Sequence, residues 1–191
     1  EGYREHSETA SYLLNTKFRY DFDSQSELTL TANAVHSPEA QDPGGLCSNF
    51  SATPSCTLLE SNDRTTAQSN NIRFDAGESV SQQQFGVVYK RRFGDTSNQE
   101  IVARNYYTHR DFDANLPFGY FGGPLVPSGG IVELERYLVG GGLQYSHIYG
   151  LLGREHRVLA GFDIDSQMDK RANFTNIVES STVGPLSLKQ D

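Results

Sequence analysis

Apolar and polar residues alternate with a period of two along much of this chain. In Ala10–Phe22, "ASYLLNTKFRYDF", one side carries Tyr12, Leu14, Thr16, Phe18, Tyr20 and Phe22. The other side carries Asn15, Lys17, Arg19 and Asp21. Such alternation predicts a β-strand with one apolar and one polar face. "DSQS" turns the chain into Glu27–His36, where Leu28, Leu30, Ala32 and Ala34 share a face. A third strand, "QQFGVVYKRRF", aligns Phe85, Val87, Tyr89 and Phe93. "GDTSN" leads to a fourth, "QEIVARNYYTHRDF", with Ile101, Ala103 and Tyr107 on one side and Asn105 among them. A fifth, "VELERYLVGGGLQYS", lines up Tyr137, Val139, Gly141, Leu143 and Tyr145. After a turn around "HIYGLLGRE", the sixth reads "HRVLAGFDIDSQMDKR". Its apolar side holds Val158, Ala160, Phe162 and Ile164; its polar side holds Asp163, Asp165 and Asp169.

The connections alternate in length. Short turns follow the first, third and fifth strands; long Ser/Asn/Gly/Pro-rich segments follow the second and fourth, and a third such segment begins near Ala172. In an antiparallel up-and-down sheet this sorts short turns to one edge and long loops to the other, as in outer-membrane barrels. The strands also exceed the usual 5–6 residues or so of soluble sheets and suit a tilted bilayer crossing. On three strands aromatics stand eight positions apart, as Tyr12 and Tyr20, Phe85 and Phe93, and Tyr137 and Tyr145. Eight residues at about 3.3 Å span roughly 26 Å along a strand, close to the apolar band between two aromatic girdles. The expected fold is therefore all-β: an antiparallel up-and-down transmembrane barrel, with Val158, Phe162, Ile164 and the bracketing aromatics facing lipid. Lys17, Arg19, Lys90, Arg92, Asp163 and Asp165 would face the lumen. Six strands do not close a barrel, and an open edge in lipid leaves backbone groups unpaired. The chain is expected to be one arc of a larger barrel, a piece of a longer protein that starts at Glu1 without an initiator Met.

Composition narrows the function. Sixteen basic against 24 acidic residues, with no basic tract, argue against nucleic acid as partner. The longest uncharged run, Ala114–Val132, is interrupted by Pro117, Pro124, Pro127 and several glycines, so it predicts a loop and no spanning helix. Cys47 and Cys56 lie in a Ser/Asn/Thr-rich stretch with no His between them. That spacing suits neither a C-x-x-C centre nor a zinc knuckle, so a loop-stapling disulfide is expected.

Catalytic constellations are missing from the sequence: there is no Walker phosphate loop, no G-x-S-x-G and no H-E-x-x-H. The run Gly140–Gly142 sits within a strand, where a close backbone approach or a kink is the natural reading. His6, His36, His109, His147 and His156 are scattered without ligand spacing. Neither catalytic nor metal-binding residues are expected, and the three aspartates read as lumen wall.

Several stretches, "GYREHSE", "SPEAQDPGGL", "RRFGD", "YYTHRDFDANLPF" and "HRVLAGFDIDSQMDKRANF", together resemble TonB-dependent outer-membrane receptors of the ferric siderophore and ferric dicitrate type. The resemblance implies a barrel of about 22 strands around a plug, in the outer membrane of a Gram-negative bacterium. It implies no covalently bound cofactor and a transported ligand that is an Fe(III) chelate. The implied partners are outer-membrane lipid, the protein's own N-terminal plug and the TonB complex. Chelated ferric ligands are often anionic, which makes Arg4 and Arg110 the candidate ligand contacts, against the plainer reading that each pairs with a nearby carboxylate. Two alternatives stand beside it: a secreted soluble β-rich binding domain, or a receptor of the same family for a sugar or cobalamin.

Overall fold

The structure is a computed structural model that describes residues 2–44, 69–94, 96, 98–117, 129–178 and 187–190, with backbone only for residues 69, 70, 177, 178 and 187–190. Six long strands run in sequence: β1 (Thr9–Asp21), β2 (Ser26–Gln41), β3 (Gly77–Phe93), β4 (Gln99–Leu116), β5 (Gly129–Leu151) and β6 (Arg154–Val178). A short β7 (Ser187–Gln190) pairs with the end of β6. A five-residue helix, α1 (Ser69–Arg73), precedes β3. All strands form one sheet in chain order, and each pair of neighbours is antiparallel. The sheet does not close on itself.

The strands outrun the periodicity that announces them. Residues 37–41 and 77–81, expected as loop, continue the β2–β3 ladder through Ala40↔Glu78 and Gln41↔Gly77. Likewise β6 continues past Ala172 to Val178, opposite the start of β5, and β7 adds a strand the pattern did not show. Cross-strand hydrogen bonding holds these ends although their residues are poor strand formers. Pro38 has no N–H to give, and the ladder shifts register there, between Ser37 and Ala40. The Ser37 hydroxyl donates to the Ala10 carbonyl at 2.8 Å and satisfies an acceptor beside the irregularity.

The turns at one edge are tight. The stretch expected as a turn, "HIYGLLGRE", is mostly strand, because pairing continues to Leu151↔Arg154. Only Leu152 and Gly153 lie between, both with positive φ (53° and 73°), as a hairpin turn of mirror-image type requires. Between β1 and β2, Asp23 accepts from the Gln25 backbone N–H at 2.7 Å. That bond holds its carboxyl below the usual carboxylate range.

At the opposite edge the described residues that flank the long connections meet in a small cap. Phe74, Ala76 and Ile131 are the buried apolar residues among those described. Around them Asn71 donates to the Asp42 carbonyl (3.0 Å), Asn176 donates to the Phe74 carbonyl (3.0 Å), and His6 Nε2 bonds the Ala76 carbonyl (2.7 Å). This cap is the described core; the sheet itself buries almost none of its apolar side chains.

Candidate functional site

The register decides which side chains share a face. Leu14, Ala34, Gln83, His109, Tyr137 and Met168 occupy one row across the six strands. Three rows further toward the tight turns on the same face lie Tyr20, Leu28, Tyr89, Ala103, Leu143 and Phe162. Every residue expected to face lipid falls on this face: Tyr12, Tyr20, Phe85, Phe93, Tyr137, Tyr145, Val158, Phe162 and Ile164. Register also places β4, whose pattern is mixed, with Ile101, Ala103, Asn105 and Tyr107 on the apolar side opposite Tyr145, Leu143, Gly141 and Val139. Many of these side chains are exposed, and others, such as Ile101, Tyr137 and Tyr145, are half-buried. Phe162 is 64% exposed, Ile164 72% and Leu14 63%.

Near the tight turns the aromatics link into chains. Tyr20 meets Phe22 edge-on at 4.9 Å, and Phe22 meets Tyr89 at 6.4 Å. A second chain runs Phe93, Tyr145, His147, Tyr149, His156, with centroids 5.6–6.4 Å apart. The upper aromatics are staggered instead of forming one row. Tyr12 stacks on His36 and Tyr137 on His109, whereas Phe85 lies opposite Tyr107, one row deeper than Tyr137.

Lys17, Arg19, Lys90, Arg92, Asp163 and Asp165 all lie on the opposite face, where most of the charges pair within the sheet. Arg19 reaches Glu27 at 3.0 Å and Asp21 at 3.1 Å. Lys90 and Arg92 converge on Glu100 at 3.1 and 3.2 Å. Arg104 binds Asp163 (2.6 Å), Tyr106 donates to Asp165, and Arg136 grips Asp169 with two bonds of 2.8 and 2.6 Å. Arg104 and Tyr106 stand on β4 and their partners on β6, so both bridges pass over β5. They pass at Gly142 and Gly140, which are the register partners of those residues. A methyl group at Gly140 would collide with the Asp165 carboxylate and the Tyr106 hydroxyl, and one at Gly142 with the Asp163 carboxylate. The glycine run thus answers to the side chains that cross it. Gly141, on the apolar side, lies under Asn105.

Arg104, Tyr106 and Arg136 were not singled out from sequence. The available signal was a strand of glycines between an Arg/Tyr strand and an Asp strand, readable only once the register is known.

The two candidate ligand contacts differ. Arg4 donates to the carbonyls of Gly44 (2.5 Å) and Pro43 (3.2 Å), pinning the segment before β1 against the end of β2. Arg110 lies on the polar face toward the long connections, its guanidinium 5.7 Å from the Phe112 ring. Its Nε is shielded without a hydrogen-bond partner, and no ion pair to it is found among the described residues. Its register partner Arg136 is committed to Asp169. Cys47 and Cys56 lie outside the described residues. No helix among the described residues is long and apolar enough to cross a membrane, a criterion that does not bear on strands.

No protein-family model matches the chain.

Proposed function

We propose that this sheet is an arc of a transmembrane β-barrel in a bacterial outer membrane, belonging to a TonB-dependent receptor that imports an iron chelate. The observation that carries the membrane reading is the apolar face: it runs in register across six strands and finds no covering layer among the described residues. In water such a face, contiguous across six strands, would drive association. In a bilayer it is the surface lipid requires. The paired polar face opposite it suits a wet lumen. Both outer edges, β1 and the β6 segment beyond β7, need flanking strands if they stand in lipid. Those strands, a plug and the TonB-binding segment would come from the rest of a longer protein.

The transport reading rests on the ordered sequence resemblance. Arg110 supports an anionic ligand, since it points its charge into the polar side near the long connections without a carboxylate partner among the described residues. The proposed action is transport without covalent chemistry: the chelate binds outside, the plug rearranges and the ligand passes.

The test uses the intact gene. Its deletion is expected to abolish growth on one or more ferric chelates as sole iron source, with expression induced by iron starvation and growth restored by complementation. Undiminished growth of the deletion strain on a panel of ferric chelates, with cobalamin or sugar uptake lost instead, would move the assignment to a non-iron ligand. A full-length product that stays in solution without detergent would end the membrane reading.

A further inference from the structure

The apolar face ends, toward the long connections, in a group of side chains that lipid does not explain. His109 and Asp111 on β4 stand beside Glu135 on β5, with one donor atom from each within 4.8 Å of the others. Asp111 and Glu135 are register partners, and His109 stacks on Tyr137 at 4.5 Å. Asp113 and Glu133, also register partners, follow on the same face one row further out.

The hydrogen bonding fixes the imidazole. The Gln83 side-chain N–H donates to the Ser81 hydroxyl at 2.9 Å, which turns its carbonyl oxygen toward His109 Nδ1 at 3.3 Å. An amide oxygen only accepts, so Nδ1 carries a proton, and in the neutral ring Nε2 then presents a lone pair. That lone pair faces Asp111 Oδ1 at 3.4 Å and Glu135 Oε1 at 3.7 Å. Nε2 is shielded from solvent and has no hydrogen-bond partner. The three groups thus converge, with the Tyr137 hydroxyl donating to the same Glu135 oxygen.

Nitrogen–oxygen hydrogen bonds lie at about 2.7–3.2 Å, shorter than both contacts. Two ligands held about 2.0–2.1 Å from a tetrahedral ion stand roughly 3.3–3.4 Å apart, and the Asp111 contact matches this. The remaining neighbours orient the ligands, as surrounding groups do in metal sites. Gln83 holds the imidazole, the Tyr137 hydroxyl donates to Glu135, and Lys170 takes the other Glu135 oxygen at 2.9 Å. Among the described residues, the Asp111 and Glu135 carboxylates against Lys170 leave the ligand cluster negative.

We propose that His109 Nε2, Asp111 Oδ1 and Glu135 Oε1 form a binding site for one divalent transition-metal ion, with Zn²⁺ best suited to an imidazole–carboxylate set. The inference depends on these side chains and not on the transport reading.

Detergent-purified full-length protein, without a polyhistidine tag and stripped with chelator, is titrated with Zn²⁺ by calorimetry and with Co²⁺ by visible absorption. The expected result is one high-affinity ion per chain, with the intense d–d bands of tetrahedral Co²⁺. His109→Ala and Asp111→Asn, each checked for retained β-structure by circular dichroism, should weaken Zn²⁺ binding at least about tenfold. His156→Ala, remote from the cluster, should leave it unchanged. Absence of stoichiometric binding, or equal affinity in His109→Ala and Asp111→Asn, overturns the proposal. Zn²⁺ binding in a protein that transports no chelate, or the converse, separates this inference from the proposed function.

Discussion

The two faces of the sheet are built from the same strands and satisfy their side chains in opposite ways. On the polar face, Arg19, Lys90, Arg92, Arg104 and Arg136 each find a carboxylate on their own or a nearby strand. On the apolar face, Phe162, Ile164, Leu14 and Met168 find almost no protein to cover them. One face is largely complete within the sheet, whereas the other depends on its surroundings. Side chains that look alike in a list of exposed residues therefore answer to different solvents.

The largest expected effect comes from placing a charge on the incomplete face. In full-length protein folded into lipid vesicles, Phe162→Arg should cost about 2–4 kcal/mol in urea unfolding, while its neighbour Asp163→Asn should cost under about 1 kcal/mol. Equal costs would erase the distinction between the faces. Next comes crowding on the complete face. Gly142→Ala would push a methyl into the Asp163 carboxylate and displace it from Arg104, at about 1–2 kcal/mol. Gly150→Ala, where nothing lies within 4 Å, is the matched control and should be near neutral in the same unfolding assay. A smaller effect is expected from the bridge itself. A double-mutant cycle with Arg104→Gln and Asp163→Asn should give a coupling below about 1 kcal/mol, since both side chains are about half exposed. A coupling several times larger would mean that the polar face is shielded from water.

The smallest effect belongs to a residue on neither face. Asp23 has a depressed carboxyl pKa, so its contribution is present above the unfolded value and is lost as pH falls through the folded one. Asp23→Asn should therefore lower stability slightly at neutral pH, converge with the wild type at low pH, and so flatten the acid limb of the stability–pH profile below about pH 4. An unchanged acid limb would show that the Gln25 N–H bond to Asp23 is not maintained.

Sequence made the faces legible because a period of two survives any register: Tyr12 and Phe18 share a side whatever lies next to them. It could not show what depends on the offset between strands. Arg104 meets Asp163 only because Gly142 stands between them, and His109 meets Glu135 only because β4 and β5 pair at Asp111↔Glu135. His109 consequently looked like a stray residue. Strand ends were hidden for a different reason. Ser37–Gln41 and Gly77–Ser81 have little strand propensity and extend by pairing with each other. The Arg4 and Arg110 candidates rested on charge and position alone, which cannot tell a guanidinium held by carbonyls, as at Arg4, from one without a carboxylate among the described residues, as at Arg110.

The two-residue link at Leu152–Gly153 has a consequence for how the sheet comes together. It joins β5 and β6, whose ladder runs without a register shift from Leu151↔Arg154 to Gly129↔Asn176. The ends of such a hairpin are already neighbours when pairing starts, so it can zip from the turn outward with little loop-closure entropy. β2 and β3 must instead bring together ends separated by the whole connection from Asp42 to Ala76. The chain is thus three local hairpins in series, β1–β2, β3–β4 and β5–β6, and the slow events in assembling the sheet are the two joins between them.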